Sequence, residues 1–164
     1  MSKETSLLKN VSTKDWQDWR WQFRNRITRL VTLKKLLEHT DFDKNNFHAV
    51  TTVYPLSITP YYLSLMQNGD ESDPVFAQSV PSLREISFSD NMPEDPLEED
   101  QHMPVPKLIH RYPDRCLAIV TETCAVYCRH CNRKRFWSRS NHVSLKSRFR
   151  DMIRYIAATT QIRE

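Results

Sequence analysis

Ser12, followed three residues later by Asp15, opens a stretch in which Trp16, Trp19, Phe23, Ile27 and Leu30 recur at helical spacing. Arg20, Arg24, Arg26 and Arg29 occupy the other face. The pattern predicts an amphipathic helix of about 18 residues, renewed at Thr32 to present Leu33, Leu36 and Leu37. A second helix is expected from roughly Lys44 to Tyr54. A turn bracketed by Pro55 and Pro60 follows, then a short helix from Tyr61 to Met66 that stops at Asn68-Gly69. The run from Asp70 to Pro106 holds most of the prolines and predicts an extended wrapping segment with short helices near Val75 and Leu83. Residues 1–11 lack periodicity and are expected to be a disordered leader. Nothing repeats internally.

Further on the pattern changes. Leu117 to Thr121 is a compact apolar, partly β-branched run of the kind found in buried parallel strands. A polar loop bearing cysteines runs from Glu122 to about His142, and Ser144 is expected to cap a helix with Phe149, Met152, Ile153 and Ile156 on one face. Strand, loop and helix are the opening unit of an α/β fold. A single buried strand would leave its backbone unsatisfied on both edges, so the chain is expected to be the front portion of a longer α/β protein.

The length of 164 residues fits one domain, or a small domain plus part of another, and 39% hydrophobic with 27% charged residues is a globular composition. The longest apolar run, Cys116 to Val120, falls far short of the roughly 20 residues that span a bilayer. No charged-then-apolar leader is present, so the expected compartment is the cytoplasm, with no membrane partner. The chain has one glycine, Gly69. Neither a Walker loop nor a GxGxxG fingerprint can be written with one, which excludes nucleotide binding through a glycine-rich phosphate cradle.

The net charge of +4 is unevenly spread. From Asp70 to Gln101, ten acids oppose one arginine, a balance of −9; from Arg111 to Arg150, ten bases oppose two acids, a balance of +8. The asymmetry points either to intramolecular acid–base pairing or to a basic site for anionic ligands.

All four cysteines lie in the second half, three of them in Cys124-Ala-Val-Tyr-Cys128-Arg-His-Cys131. Clustered cysteines without an export signal read as metal ligands. Thiolates suit iron–sulfur clusters, zinc or copper(I). Three on a tight loop can hold three corners of a cubane and leave one iron open to a substrate, as a vacant position on a catalytic zinc does. The adjacent Arg129, Arg133, Lys134 and Arg135 fit an anionic cluster. The competing assignment is a structural zinc site with His130 or Cys116 as fourth ligand. The adjacency of His130 to Cys131, and the position of Cys116 at the start of a strand, favour the cluster. Cys116 itself reads as a small buried apolar residue.

The C-x3-C-x2-C array after the first strand of a βα unit resembles the signature of the radical S-adenosylmethionine (SAM) superfamily. Asp15 to Gln22, Ile58 to Leu65, Asp95 to Asp100 and His110 to Arg115 all resemble segments of the lysine 2,3-aminomutase family, in the family's order, so the likeness runs from about Asp15 to the last residue. It implies a helical region with an acidic wrap over residues 12–109, then, over 110–164, the start of a partial (β/α) radical SAM barrel carrying the cluster loop.

The resemblance also implies cofactors and roles. Cys124, Cys128 and Cys131 would ligate a [4Fe–4S] cluster whose open iron binds SAM, with His130 near the adenine. The reduced cluster would cleave SAM to a 5′-deoxyadenosyl radical that abstracts a substrate hydrogen, while the substrate amine, held on pyridoxal phosphate (PLP), migrates from the α to the β carbon. Arg111, Tyr112 and Arg115 match positions at the PLP phosphate and ring, and Arg133 matches the one that grips the substrate carboxylate; guanidinium forks suit both tasks. Without the resemblance, Arg111 and Arg115 could equally neutralise the acidic run, and the Trp16, Trp19 and Phe23 stripe reads as a packing face.

Family members are longer. The double-glycine motif at the SAM amino group, the lysine that binds PLP and the acids for a distal substrate amine do not occur in this sequence. The expectation is therefore a truncated product that holds a cluster without turning over. Its small amino-acid substrate would be L-lysine, converted to L-β-lysine, with glutamate and a translation-factor lysine as the family's variants; homo-oligomers are possible in the full-length family. The alternative from another class is a small zinc or cluster module whose Trp- and Arg-rich first helix binds nucleic acid. Its weakness is that the aromatics are expected on one packed stripe, away from the exposed arginines.

Overall fold

A computed structural model of the chain describes residues 10–37, 44–66, 72–87, 93–138 and 144–164. The Asn68-Gly69 stop and most of the leader lie outside those residues. The first half is a layer of short helices: α1 (Thr13–Gln17), α2 (Trp19–Arg24), α3 (Leu30–Leu36), α4 (Lys44–Val53), α5 (Pro60–Ser64), α6 (Pro74–Ser79) and α7 (Arg84–Ser87). Ser12 begins α1 as expected, its hydroxyl accepting from Asp15 N–H at 3.0 Å. The long first helix does not form as one piece. Asp18 ends α1 and caps α2, its carboxylate accepting the Arg20 N–H at 2.9 Å, so a side chain competes for the backbone bonds that would have continued the helix.

Ile27, expected on the helical stripe, is extended instead. It exchanges both backbone bonds with Ile58, at 2.7 and 3.1 Å. Both residues are buried and belong to the core with Leu33, Leu36, Leu37, Phe47, Leu63 and Phe76. Burial of two β-branched side chains in a paired bridge outweighs one further turn of helix. α5 and α6 start by the same device: Thr59 and Asp73 cap them, and Pro60 and Pro74 fill first positions where a missing N–H costs nothing.

The acidic segment carries a 3-10 turn, Glu99–His102, and leads into β1 (Leu108–Tyr112) and β2 (Arg115–Ala118). These strands pair antiparallel through the two-residue turn Pro113-Asp114, with Tyr112 opposite Arg115. The expected strand from Leu117 to Thr121 thus begins earlier, ends earlier, and is half exposed rather than buried. Its nearest partner, β1, was not legible, because His110, Arg111 and Tyr112 interrupt the apolar pattern.

α8 (Arg135–Ser138) and α9 (Leu145–Ala158) follow. Ser144 precedes α9 without making a side-chain cap bond. Met152 is buried on the α9 face, whereas Ile153, expected beside it, is 66% exposed. After α9 the backbone returns to β2. Glu164 N–H donates to Asp114 O at 3.3 Å and Cys116 N–H donates to Glu164 O at 3.1 Å. Arg163 N–H also donates to Asp114 O, at 2.8 Å. β2 is paired with β1, which corrects the expectation of an unpartnered strand. The described fold is mixed: a helical layer and a two-stranded sheet, followed by a helix that brings the chain back alongside β2. No described helix is long and apolar enough to cross a membrane.

Candidate functional site: the cysteine loop and the arginine cavity

The cysteine loop leaves β2 and is fastened to the helical layer by its own backbone. Tyr127 N–H donates to Ser57 O at 2.9 Å and Arg129 N–H to Gln78 O at 2.7 Å. Arg26 reaches across to the Cys124 carbonyl at 3.0 Å. Tyr127 stacks on Trp137 with ring centroids 4.4 Å apart. Within the loop, Cys131 N–H bonds Cys128 O and Lys134 N–H bonds Cys131 O, turning the chain tightly about the second and third cysteines.

All four cysteines are free thiols. Cys124 is exposed; Cys128 and Cys131 are half-buried. Two N–H groups point at the loop sulfurs: Gln78 Nε2 lies 3.7 Å from Cys128 Sγ, and Arg133 N–H lies 3.4 Å from Cys131 Sγ. The Cys124 thiol is pushed up from its ordinary pKa, first by desolvation and then by the neighbouring Cys131 and Cys128, with Arg26 opposing.

Among the described residues, no group of three or more His, Cys, Asp or Glu side chains is placed to hold a metal ion. Tetrahedral zinc with bonds of about 2.3 Å requires sulfurs roughly 3.8 Å apart. A cubane is wider and asks for three separated thiolates with N–H donors aimed at them. Three free thiols on one loop are the donor chemistry that an iron–sulfur cluster takes. Cys116, expected to be buried, is half-buried, and desolvation pushes its thiol up.

The basic loop and the acidic segment meet, which settles the charge asymmetry for four of the bases. Arg129 is 7% exposed and forms a fork with Glu85, Nε to Oε1 and Nη2 to Oε2, each 2.9 Å. Its remaining N–H groups donate to the carbonyls of Pro55 (2.9 Å) and Tyr54 (3.1 Å). Lys134 adds a second cation 3.6 Å from Glu85. Arg133 clasps Glu99 through Nε and Nη2, and buried Arg135 lies against Asp95 (3.0 Å), Glu99 (3.3 Å) and Asp100 (3.4 Å).

Arg111 and Arg115 are used differently. Arg111 donates to the Leu97 carbonyl at 3.0 Å, while Arg115 lies over the Tyr112 ring and 4.0 Å from its neighbour Asp114. Arg111, Tyr112, Arg115 and Arg133 all line one cavity of about 570 Å³, together with Leu97, Glu99, Ile109, Cys116, Leu117 and Glu164. The four residues assigned to PLP and to the substrate carboxylate are thus brought to one place. The three loop cysteines do not line this cavity, and His130 is exposed outside it. Sequence reasoning missed Glu85, Glu99 and Gln78. For the two acids the only signal was the opposed charge of the two segments; for Gln78 there was none.

Comparison with known proteins identifies the class first. Over its whole length the chain is homologous to amino-acid 2,3-aminomutases, an isomerase family; no family model matches it. Among these relatives it is 42% identical, over all 164 residues, to the L-lysine 2,3-aminomutase of Clostridium subterminale, covering 39% of that protein. It is 41% identical over 162 residues to that of Bacillus subtilis, covering 34%. It is 36% identical over 156 residues to the glutamate 2,3-aminomutase of Clostridioides difficile, covering 36%. The chain spans about two-fifths of the length of the curated relatives it matches.

Proposed function

We propose that this chain is the portion of a radical SAM, PLP-dependent amino-acid 2,3-aminomutase that holds the iron–sulfur cluster and grips the PLP phosphate, with L-lysine as the favoured substrate. The observation that carries the reading is the meeting of Arg111, Tyr112, Arg115 and Arg133 in one cavity, in a chain 42% identical throughout to an L-lysine 2,3-aminomutase.

Cys124, Cys128 and Cys131 would be the three ligands of a [4Fe–4S] cluster, and His130 would contribute to holding SAM. The cluster and SAM together supply a hydrogen-abstracting radical, and PLP supplies a carrier for the substrate amine. Arg111 and Arg115 bind the cofactor phosphate by paired N–H donors. Tyr112, 52% exposed, presents its ring at the cavity mouth. Arg133 grips a carboxylate with the guanidinium edge that Glu99 leaves open. In this reading the two-stranded sheet, α9 and the return of the chain to Asp114 and Cys116 are the opening of a (β/α) barrel. The lysine that binds PLP is not among these residues, so turnover requires further chain. The setting is the reducing cytoplasm, where such thiols stay free.

The test is anaerobic reconstitution with iron and sulfide. The expected product is brown, holds about four irons per chain, and is lost when Cys124, Cys128 and Cys131 become alanine. Binding of PLP, followed by its absorbance, is weakened by Arg111→Ala and Arg115→Ala. Stoichiometric zinc without colour would reject the proposal.

One observation favours a second reading, a nucleic-acid-binding module. Trp19 is 63% exposed with the Arg20 guanidinium 4.8 Å from its ring centroid, so an aromatic and a cation do lie together on the surface, against expectation. Salt-dependent binding of single-stranded RNA, lost in Trp19→Ala, would support that reading.

A further inference from the structure

Gln78, near the end of α6, touches the cysteine loop twice. Its main-chain carbonyl accepts the Arg129 N–H at 2.7 Å, and its side-chain Nε2 lies 3.7 Å from Cys128 Sγ. The orientation of the amide is set from its other end. Tyr62, on α5, donates its hydroxyl to Gln78 Oε1 at 2.8 Å. A phenol that donates must meet the carbonyl oxygen, which turns the NH2 group towards the sulfur. Turning the amide over would set its NH2 against the phenol and its carbonyl oxygen against Cys128. A ligand thiolate accepts and cannot donate, so with Cys128 deprotonated on a cluster only the first orientation bonds it, and the relay Tyr62–Gln78–Cys128 ends in an N–H donor aimed at a proposed cluster ligand.

We infer that Gln78, oriented by Tyr62, is a positioning residue that donates an N–H···S hydrogen bond to the Cys128 ligand and so raises the reduction potential of the cluster. The inference rests on the cluster reading above. Reduction adds an electron to the cluster and its thiolates. An N–H directed at a ligand sulfur stabilises the more negative, reduced form more than the oxidised one. Removing the donor therefore displaces the midpoint to a more negative value. The bond reaches the cluster through Cys128 alone, so cluster stoichiometry is unaffected.

The experiment is anaerobic reconstitution of the full chain and of Gln78→Leu and Tyr62→Phe, followed by iron analysis and an EPR-monitored redox titration. The expected result is unchanged iron content with a midpoint displaced negatively in Gln78→Leu. Tyr62→Phe, which keeps the amide but frees it to turn, shifts the same way by less. Should Gln78→Leu fail to fold, Tyr62→Phe decides alone: a negative shift supports the relay and no shift overturns it. A normal cluster with wild-type potential in both variants overturns the inference and leaves the cluster reading standing. If the unsubstituted chain takes up no cluster, both fall together.

Discussion

Between Cys128 and His130, the guanidinium of Arg129 meets two glutamate oxygens and two main-chain carbonyls with 7% of its surface exposed. A charge in that position is tolerated only because each face is matched. Removing one partner leaves the other stranded, which typically costs about 3–5 kcal/mol for a buried pair. Glu85→Ala is therefore expected to lower the unfolding free energy, read from urea denaturation, by an amount in that range, well beyond Asp114→Ala, whose pairing with Arg115 is exposed and worth at most about 1 kcal/mol. Asp95 sets an acid limit. Desolvation pushes its carboxyl up, but the N–H groups of Asp100 and Glu99, the Arg135 charge and the Leu97 N–H outweigh that and hold its pKa below the usual carboxylate value. A carboxyl depressed on folding stabilises the native state fully above the unfolded pKa of about 3.9, and the contribution disappears as pH falls through the lower folded value. Asp95→Asn is expected to flatten that acid limb of a stability–pH profile. At this scale the grouping of three cysteines on one loop was legible because their spacing is local. Glu85 and Glu99 were not, because their partners lie 44 and 34 residues away in sequence.

Elements were legible where a side chain announces their start. Ser12, Thr59 and Asp73 accept backbone N–H groups at the heads of α1, α5 and α6; Ser12 was read as a cap from the sequence, whereas the other two are found in the structure. Asp18 is the instructive failure: it lies inside an intact apolar stripe and still divides the helix by capping α2. Asp18→Ala is expected to cost about 1 kcal/mol, the usual worth of a cap, read as a lowered denaturation midpoint. β1 was hidden because a half-exposed strand with His110, Arg111 and Tyr112 in succession carries neither alternation nor a continuous apolar run. Lys107 just before it has φ 68°, a left-handed backbone that no lysine advertises. Burial lowers the pKa of its ammonium, with Glu122 opposing from 3.3 Å.

Across the whole molecule the dense apolar core belongs to the helical layer, while β2 is half exposed and Leu117 is 44% exposed. Leu33→Ala, at a position of zero exposure, is expected to cost about 2–5 kcal/mol, and Leu117→Ala about 0.5 kcal/mol or less; chemical denaturation of both variants checks the contrast. The overall class was legible from the change of pattern near Leu117, but the arginine cavity was not, since its lining is gathered from β1, β2, the acidic turn and the loop beyond. Arg129 has a consequence at this largest scale. Through it, the cysteine loop is nailed to Tyr54 and Pro55 just after α4 and to α7, with Gln78 of α6 alongside. Heat or denaturant that loosens those helices must let go of the sulfurs at the same moment, so cluster colour, once installed, should fade along the same curve as helical ellipticity instead of ahead of it.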